Sequence, residues 1–323
     1  MHTSVFEFGY WLQTVLDDYI IHLNEGGEPV KLNSRSGNWD SQDKIRASGL
    51  ATCPKFHAAE RLGLVKKEFA PNMYYRFELA VRAAELYAES VSWGIGQEGC
   101  VFTEKRIIKA EQPVAGTMDI LLKRGKFLIP IEIKYTSADK YDGYSDYQVW
   151  QLIAYMELVG AKFAYLVTLY DWQSKMGTHK VWTVGETENG WAVFDTEGRL
   201  TGQNDTFTQD EYQHMIEAHQ SSYRLAKEEG LDAIPVPFET PVGEFRCGNT
   251  RLPEYYQGKY TNPYTKETFK EGDLKPKTGI FTPTCPLFFS CWACSGEQRI
   301  DQRDTMYFIQ KDVQHHEGID GTQ

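Results

Sequence analysis

The hydrophobic and polar positions of this chain predict an ordered series of helices and strands. An amphipathic helix is expected near Phe8 to Leu23, followed by a polar stretch rich in Gly, Asn and Ser. A short helix is expected over Ser48 to Leu64, with Ser48 able to cap it and Cys53-Pro54 near its start. From about Tyr74 to Val91, apolar residues recur at helical spacing, and Phe77, Val81, Ala84 and Ala88 mark one face. Three strands follow. Val101 to Lys109 alternates, Pro113 to Lys123 is rich in β-formers, and Phe127 to Tyr135 sets Leu128, Pro130 and Glu132 against Ile129, Ile131 and Ile133. Arg124-Gly125-Lys126 reads as the hairpin turn between the last two. A helix from about Ser145 to Leu158 ends at Gly160, and a strand from Lys162 to Tyr170 follows it.

Helix, three strands, helix and strand make a compact α/β core with a mixed sheet. Beyond Asp171 the pattern changes. Lys180 to Phe194 reads as a hairpin turning at Asn189-Gly190, and a helix opens at the capping box Thr208-Gln-Asp-Glu211 and runs to Gly230. The chain therefore divides into a helical N-terminal segment (1–45), a core (46–170), an inserted hairpin, helix and irregular connector (171–284), and a cysteine-rich end with its tail (285–323).

Composition narrows the class. With 41% hydrophobic and 14% aromatic residues, the chain has the makings of a globular protein rather than a disordered one. No apolar run approaches the roughly 20 residues that span a bilayer. The first residues lack a basic segment followed by an apolar one, so no secretory signal and no membrane partner are expected, and the location is expected to be cytoplasmic. A net charge of -11 argues against a polyanionic partner unless a bound cation reverses the sign locally. The lysines at 123, 126, 259, 266, 270, 275 and 277 are interspersed with acids and read as solvated surface.

The candidate chemistry lies in Gly116-Thr-Met-Asp119 and Ile131-Glu132-Ile133-Lys134, with Gln151-Leu-Ile-Ala-Tyr155 on the helix behind them. Asp119 and Glu132 supply hard oxygens for a divalent cation, and the Ile133 carbonyl offers another. Glu132 and Lys134 share parity on one strand and so project from one face, where the ammonium can orient a water or stabilise phosphate charge. Gly116 permits a bend or a close approach just before Asp119. Glu132 and Lys134 stand among apolar neighbours, and charged residues are rarely buried unless paired or metal-bound.

The pattern Gly-x-x-Asp, Glu-x-Lys and Gln-x-x-x-Tyr, formed by Gly116, Asp119, Glu132, Lys134, Gln151 and Tyr155, resembles the RecB-type branch of the PD-(D/E)XK nucleases. The resemblance covers roughly residues 46 to 170 plus the cysteine tail. It implies a restriction-endonuclease-like core, with a central mixed sheet flanked by helices. It also implies a DNA exonuclease using Mg2+ or Mn2+ on single strands or ends, with Gln151 and Tyr155 shaping the site and engaging DNA. The family usually carries an upstream helical His as a further metal ligand, and none stands there in this chain. Glu85 best fits that position by spacing, with Glu78 as the alternative and Glu104 a weaker acidic candidate on the first strand.

Six cysteines, at 53, 100, 247, 285, 291 and 294, are unevenly placed, and three within ten residues suggest metal or cluster ligation. Ser48-Gly-Leu-Ala-Thr-Cys53-Pro54 resembles the segment bearing the first cluster cysteine in RecB-like nucleases with an iron-sulfur cluster. These include CRISPR-associated nucleases, their phage relatives and the AddB nuclease domain. The resemblance implies a [4Fe-4S] cluster on Cys53, Cys285, Cys291 and Cys294 in a cysteine-bound subdomain, with zinc as the alternative metal and Cys247 in reserve. The downstream order C-x5-C-x2-C departs from the family, which has its short gap first. Cys100 reads as a buried small hydrophobe, and His57, His214, His219, His315 and His316 as structural or solvated. The partners implied are DNA and proteins of phage recombination or CRISPR adaptation. The rivals are a lambda-type recombination exonuclease or an endonuclease with structural zinc, and a DNA-binding scaffold whose site has degenerated.

Overall fold

The computed structural model describes residues 4–32, 44–67, 71–136, 143–170, 179–201 and 206–234, with three short strands at 260–261, 268–269 and 307–309. In chain order the elements begin with helix α1 (Val5–Asn24), strand β1 (Ile45–Arg46), a 3-10 turn at Ala47–Gly49, helix α2 (Pro54–Arg61), strand β2 (Val65–Lys67) and helix α3 (Pro71–Ile95). Strands β3 (Cys100–Ile108), β4 (Val114–Arg124) and β5 (Phe127–Thr136) come next, then helix α4 (Asp146–Val159) and strand β6 (Phe163–Tyr170). Strands β7 (His179–Thr187), β8 (Gly190–Phe194) and β9 (Thr206–Thr208) precede helix α5 (Gln209–Glu228). The short strands are β10 (Tyr260–Thr261), β11 (Thr268–Phe269) and β12 (Tyr307–Ile309). Among the described residues no helix is long and apolar enough to cross a membrane.

Local chemistry explains where the helices start and stop. The Ser4 hydroxyl accepts the Glu7 N–H at 3.0 Å while the Glu7 carboxylate accepts the Ser4 N–H at 3.0 Å, a reciprocal cap that opens α1. Thr208 and Glu211 do the same for α5. Gly160, at φ +68°, closes α4 in the left-handed region that glycine adopts without strain. One expectation is corrected. Ser48 lies inside the 3-10 turn, and α2 starts only at Pro54 with Cys53 as its cap residue. Proline has no N–H to lose at the first helical position, which fixes the start there.

Eight strands form one mixed sheet in the order β1-β4-β5-β6-β7-β8-β9, with β3 on the other side of β4. β3 pairs antiparallel along β4 from Cys100 opposite Lys123 to Ile108 opposite Ala115. On the opposite side β5 pairs antiparallel with β4 from the hairpin turn only as far as Ile131 opposite Ile120. There the two strands part. The far end of β4 takes β1 instead, in parallel, with Ile45 opposite Val114. β5 continues beside β6 in parallel, joined by the α4 crossover, from Ile131 opposite Tyr165 to Thr136 opposite Tyr170.

Strand parity sorts the core into two layers. Ile129, Ile131 and Ile133 of β5 and Tyr165, Val167 and Leu169 of β6 pack with Phe8, Leu12 and Val15 of α1 and Tyr87 and Val91 of α3. On the other face Ala164 and Leu166 pack with Leu152, Ile153 and Met156 of α4, and that layer extends to Trp182, Trp191, Phe207 and Tyr212. The hairpin after residue 170 thus continues the same sheet, and α1 helps to roof it. His57 of α2 and His219 of α5 are buried together, Nδ1 to Nδ1 at 3.1 Å, and His219 Nε2 lies 2.8 Å from the Leu50 carbonyl. Both fit the structural role expected of them. Cys100 departs from its expected burial: it opens β3, which among the described residues pairs only with β4, and it is exposed. Cys247, Cys285, Cys291, Cys294, His315 and His316 lie outside the described residues.

Gln13 fastens α1 to the sheet. β8 pairs only with residues 183–187 of β7, and the Gln13 amide serves the preceding stretch, donating to the His179 carbonyl and accepting the Val181 N–H at 2.9 Å. Replacing it with leucine, of similar volume, removes both bonds from part-buried backbone groups. Gln13→Leu is expected to lower unfolding stability by about 1–3 kcal/mol, read as a urea midpoint shift at constant m-value.

Candidate active site

The point where β4 and β5 part holds the residues singled out by the sequence. Asp119 is the β4 residue just past the last paired position, and its Oδ2 accepts the Ile133 N–H of β5 at 2.7 Å. A side chain thus takes over a backbone bond where the ladder ends. Parity sends Glu132 and Lys134 to the face covered by α4, opposite to Ile131 and Ile133. Glu132 is 2% exposed, and its Oε1 accepts from Lys134 Nζ and from Gln151 Nε2, the latter at 2.7 Å.

The α4 helix brings the other two predicted residues to this pair. Its first turn is secured by the Ser145 N–H, which donates to Gln148 Oε1 at 2.9 Å. One turn apart on the buried side, Gln151 and Tyr155 are joined by a 2.8 Å bond from Gln151 Nε2 to the phenol oxygen. The Tyr155 hydroxyl donates to the Thr117 carbonyl at 2.7 Å, and Gln151 Oε1 accepts from Lys134 Nζ at 3.2 Å. Gly116 makes this closeness possible. A Cβ there would lie 2.4 Å from a Tyr155 ring carbon and 3.1 Å from the Ala47 Cβ. The chain of contacts Glu132, Lys134, Gln151, Tyr155, Thr117 is therefore closed over β4 by the absence of a side chain at 116.

The electrostatics are uneven. Burial, then the neighbouring Asp119 charge, push the Glu132 carboxyl up to about 8, against the pull of Lys134 and Gln151. Burial also raises Asp119, with Glu104 adding to it, while Lys134 and the Ile133 N–H hold it down. Burial alone would lower the Lys134 ammonium, but Glu132 and Asp119 together outweigh it and hold it above the ordinary lysine range. Burial and the two carboxylates keep the Tyr155 phenol neutral, as a hydrogen-bond donor must be.

The donors fit a divalent cation. Glu132 Oε2 is buried and accepts no hydrogen bond among the described residues, and a buried carboxylate oxygen without a donor calls for a proton or a cation. Glu132, raised by the Asp119 charge, and Asp119 beside it present hard oxygens of the kind Mg2+ or Mn2+ takes. No three acidic, His or Cys side chains converge at ligand spacing among the described residues, so protein carboxylates would fill only part of such an ion's shell. Glu85, the expected helical ligand, stands on α3 and pairs with Arg82 at 2.9 Å; Glu78 bonds the same arginine at 3.2 Å. Neither is brought together with both Asp119 and Glu132. Glu104 is the acid that β3 sets directly across from Asp119, between the pairs Thr103–Ile120 and Lys105–Met118. Its φ of +46° is unusual for a non-glycine residue, a local strain of the kind found at functional sites. The sequence ranked Glu104 low because only the β3–β4 register reveals its place.

On the α3 side the parted strands open into a cleft of about 880 Å³, with Asp119 and Ile133 on the sheet wall and Glu85 on the helix wall. Glu132 and Lys134 point to the opposite face, and of the carboxylate pair it is Asp119 that lines the cleft.

No family model matches this chain, and no curated protein matches it. Among solved structures, the alkaline exonuclease LHK-Exo from Laribacter hongkongensis is 15% identical, over 59% of this chain and 91% of that one, with a TM-score of 0.37. Its complex with dAMP is 16% identical with the same coverage and TM-score. The structure titled SSO0001 is 16% identical over 55% of this chain and 76% of that one, with a TM-score of 0.28.

The raised Glu132 pKa has a consequence for stability. A carboxyl whose folded pKa lies above its unfolded value binds its proton more tightly when folded. Stability is then greatest below the unfolded value of 4.5 and falls as pH rises towards about 8. His219 is lowered to about 4 by burial, so its contribution changes only below its ordinary value of 6.5. The window from pH 6.5 to 8.5 therefore reports the carboxylate pair. In chelator, the melting temperature is expected to fall across that window, and millimolar Mn2+ at pH 8.5 to restore it. Glu132→Gln is expected to flatten the fall. An unchanged melting temperature in chelator would show that the pair is not charged against its environment.

Proposed function

We propose that this protein is a divalent-metal-dependent DNA nuclease with a restriction-endonuclease-like core of the RecB-like PD-(D/E)XK kind. We further propose that it acts as an exonuclease at single-stranded DNA or DNA ends. The observation that carries the reading is the buried Glu132 carboxylate, with one oxygen held by Lys134 and Gln151 and the other without a donor, beside Asp119. Asp119, Glu132 and the Ile133 carbonyl would hold Mg2+ or Mn2+. When bound, such a cation neutralises phosphate charge and acidifies a water.

The protein groups have separate tasks. Lys134, partly exposed and fixed by Glu132 and Gln151, presents N–H donors to the attacking water and to the phosphate oxygens where charge develops. Gln151 keeps that ammonium from wandering, because its amide binds Lys134, Glu132 and Tyr155 together. Tyr155, tied to the Thr117 carbonyl, keeps α4 and β4 at the spacing the gap requires. Glu85 remains an outer ligand candidate across the cleft.

A [4Fe-4S] centre on Cys53, Cys285, Cys291 and Cys294 is proposed as a staple between the chain ends, with zinc as the alternative metal. Cys53 is buried at the start of α2, and the pairing of β12 with β2 returns the chain beyond residue 306 to the segment just after α2, a neighbourhood such a centre would require. Service in phage recombination or in CRISPR spacer acquisition belongs to the same proposal.

Cleavage of labelled single- and double-stranded DNA is expected with Mg2+ or Mn2+ and not with chelator. Lys134→Ala is expected to reduce the rate by about 100- to 1,000-fold, on the scale of losing one positioned donor, with the far-ultraviolet circular dichroism of the folded protein retained and the melting temperature lowered. Cleavage at the wild-type rate by this variant would remove the site assignment, and binding without cleavage under every metal would favour a degenerate scaffold. For the cluster, Cys53→Ser is expected to lower iron content and the absorbance near 400 nm together. Full iron in that variant would dissociate Cys53 from the centre.

A further inference from the structure

We propose that the cleft between α3 and the sheet receives an unpaired nucleobase at the end of a DNA strand, which makes a single-stranded terminus the substrate. This inference rests on the nuclease reading of the carboxylate pair. Phe77, Val81, Ala84 and Ala88 recur along one face of α3 and form one wall, and Ile133 and Tyr135 of β5 form the other. An apolar helical stripe of this kind normally closes on the sheet. Here alanines replace the larger residues that would close it, and a space of about 880 Å³ remains, on the scale of a small-ligand pocket.

Two aromatic rings, Phe77 and Tyr135, reach this space from different elements, and Phe77 is 41% exposed. A flat π-system is what such rings hold best, and base-on-aromatic stacking is tolerant of sequence. The charge on the walls selects which part of a nucleotide enters. Glu85, Glu89, Glu104 and Asp119 line the cleft, and no lysine or arginine does so among the described residues. A phosphate would be repelled there. A base is neutral, and its ring and exocyclic N–H groups can donate to carboxylates. Glu89 is steadied for that purpose by the Tyr19 hydroxyl at 3.1 Å. A paired base has its donor edge occupied and its faces stacked, so the duplex is excluded. Asp119 belongs both to the cleft and to the carboxylate pair, so a base seated here would set its own backbone beside the proposed metal ligands.

The test uses the full protein and oligonucleotides with 2-aminopurine at the 5′ or the 3′ terminus, bound in chelator so that no cleavage occurs. Wild-type protein is expected to change the fluorescence of one terminal probe in single-stranded form and not of the same probe within a duplex. Phe77→Ala is expected to weaken that binding about ten-fold or more, and Phe77→Tyr to restore it. A terminal abasic site is expected to weaken wild-type binding by a similar factor and to add little to Phe77→Ala. Equal affinity of wild type and Phe77→Ala, or indifference to the abasic site, would overturn the proposal even if the protein cleaves DNA. A Phe77-dependent terminal signal without cleavage under any metal would leave the pocket standing and remove the nuclease reading.

Discussion

The burial of Glu132 beside Asp119 is the constraint around which the rest of the site is arranged. A carboxylate removed from water next to a second carboxylate is unfavourable by several kcal/mol unless something positive or proton-bearing shares the space. The chain supplies Lys134 two residues away on the same strand face, and Gln151 from the helix above. These satisfy one oxygen and leave the other. A bound cation would complete that half-satisfied network, at the point of the sheet where β4 and β5 stop pairing.

That parting of strands depends on features far apart in sequence. β1 is only two residues long, yet it takes the edge of β4 that β5 vacates, and Asp119 uses its side chain to bond the Ile133 N–H. Gly116 admits the Tyr155 ring against the same strand, so α4 can settle close enough for Gln151 to reach Glu132. A methyl group at 116 would push the helix outward and separate the two halves of the network. The site and the packing of α4 are in this sense one structural event.

Net charge and the proposed substrate are reconciled by geometry. The chain carries -11 overall, and the cleft at Asp119 is itself acidic. An acidic cavity with aromatic walls would discriminate between parts of a nucleotide, excluding the phosphate and accepting the base. Attraction for the backbone would then fall to Lys134 and to a cation bound by the carboxylates.

The helices, the strands and the residues of the carboxylate network could be read from the sequence because each depends on short-range chemistry. The capping box at Thr208 and glycine at 160 act within a turn, and parity alone puts Glu132 and Lys134 on one face. The spacing of Asp119, Glu132, Lys134, Gln151 and Tyr155 is likewise a property of consecutive elements. Tertiary structure decided what depends on register and on contacts across long separations. It set Glu104 opposite Asp119, moved the start of α2 from Ser48 to Pro54, exposed Cys100 at the outermost strand, and joined α1 and the 179–208 strands to the same sheet. It also left a cleft under the Phe77 to Ala88 stripe, which the sequence reads only as one apolar face of a helix. Periodicity reports that a face is apolar, but whether that face closes on its neighbour is set by the volumes of side chains on both elements at once.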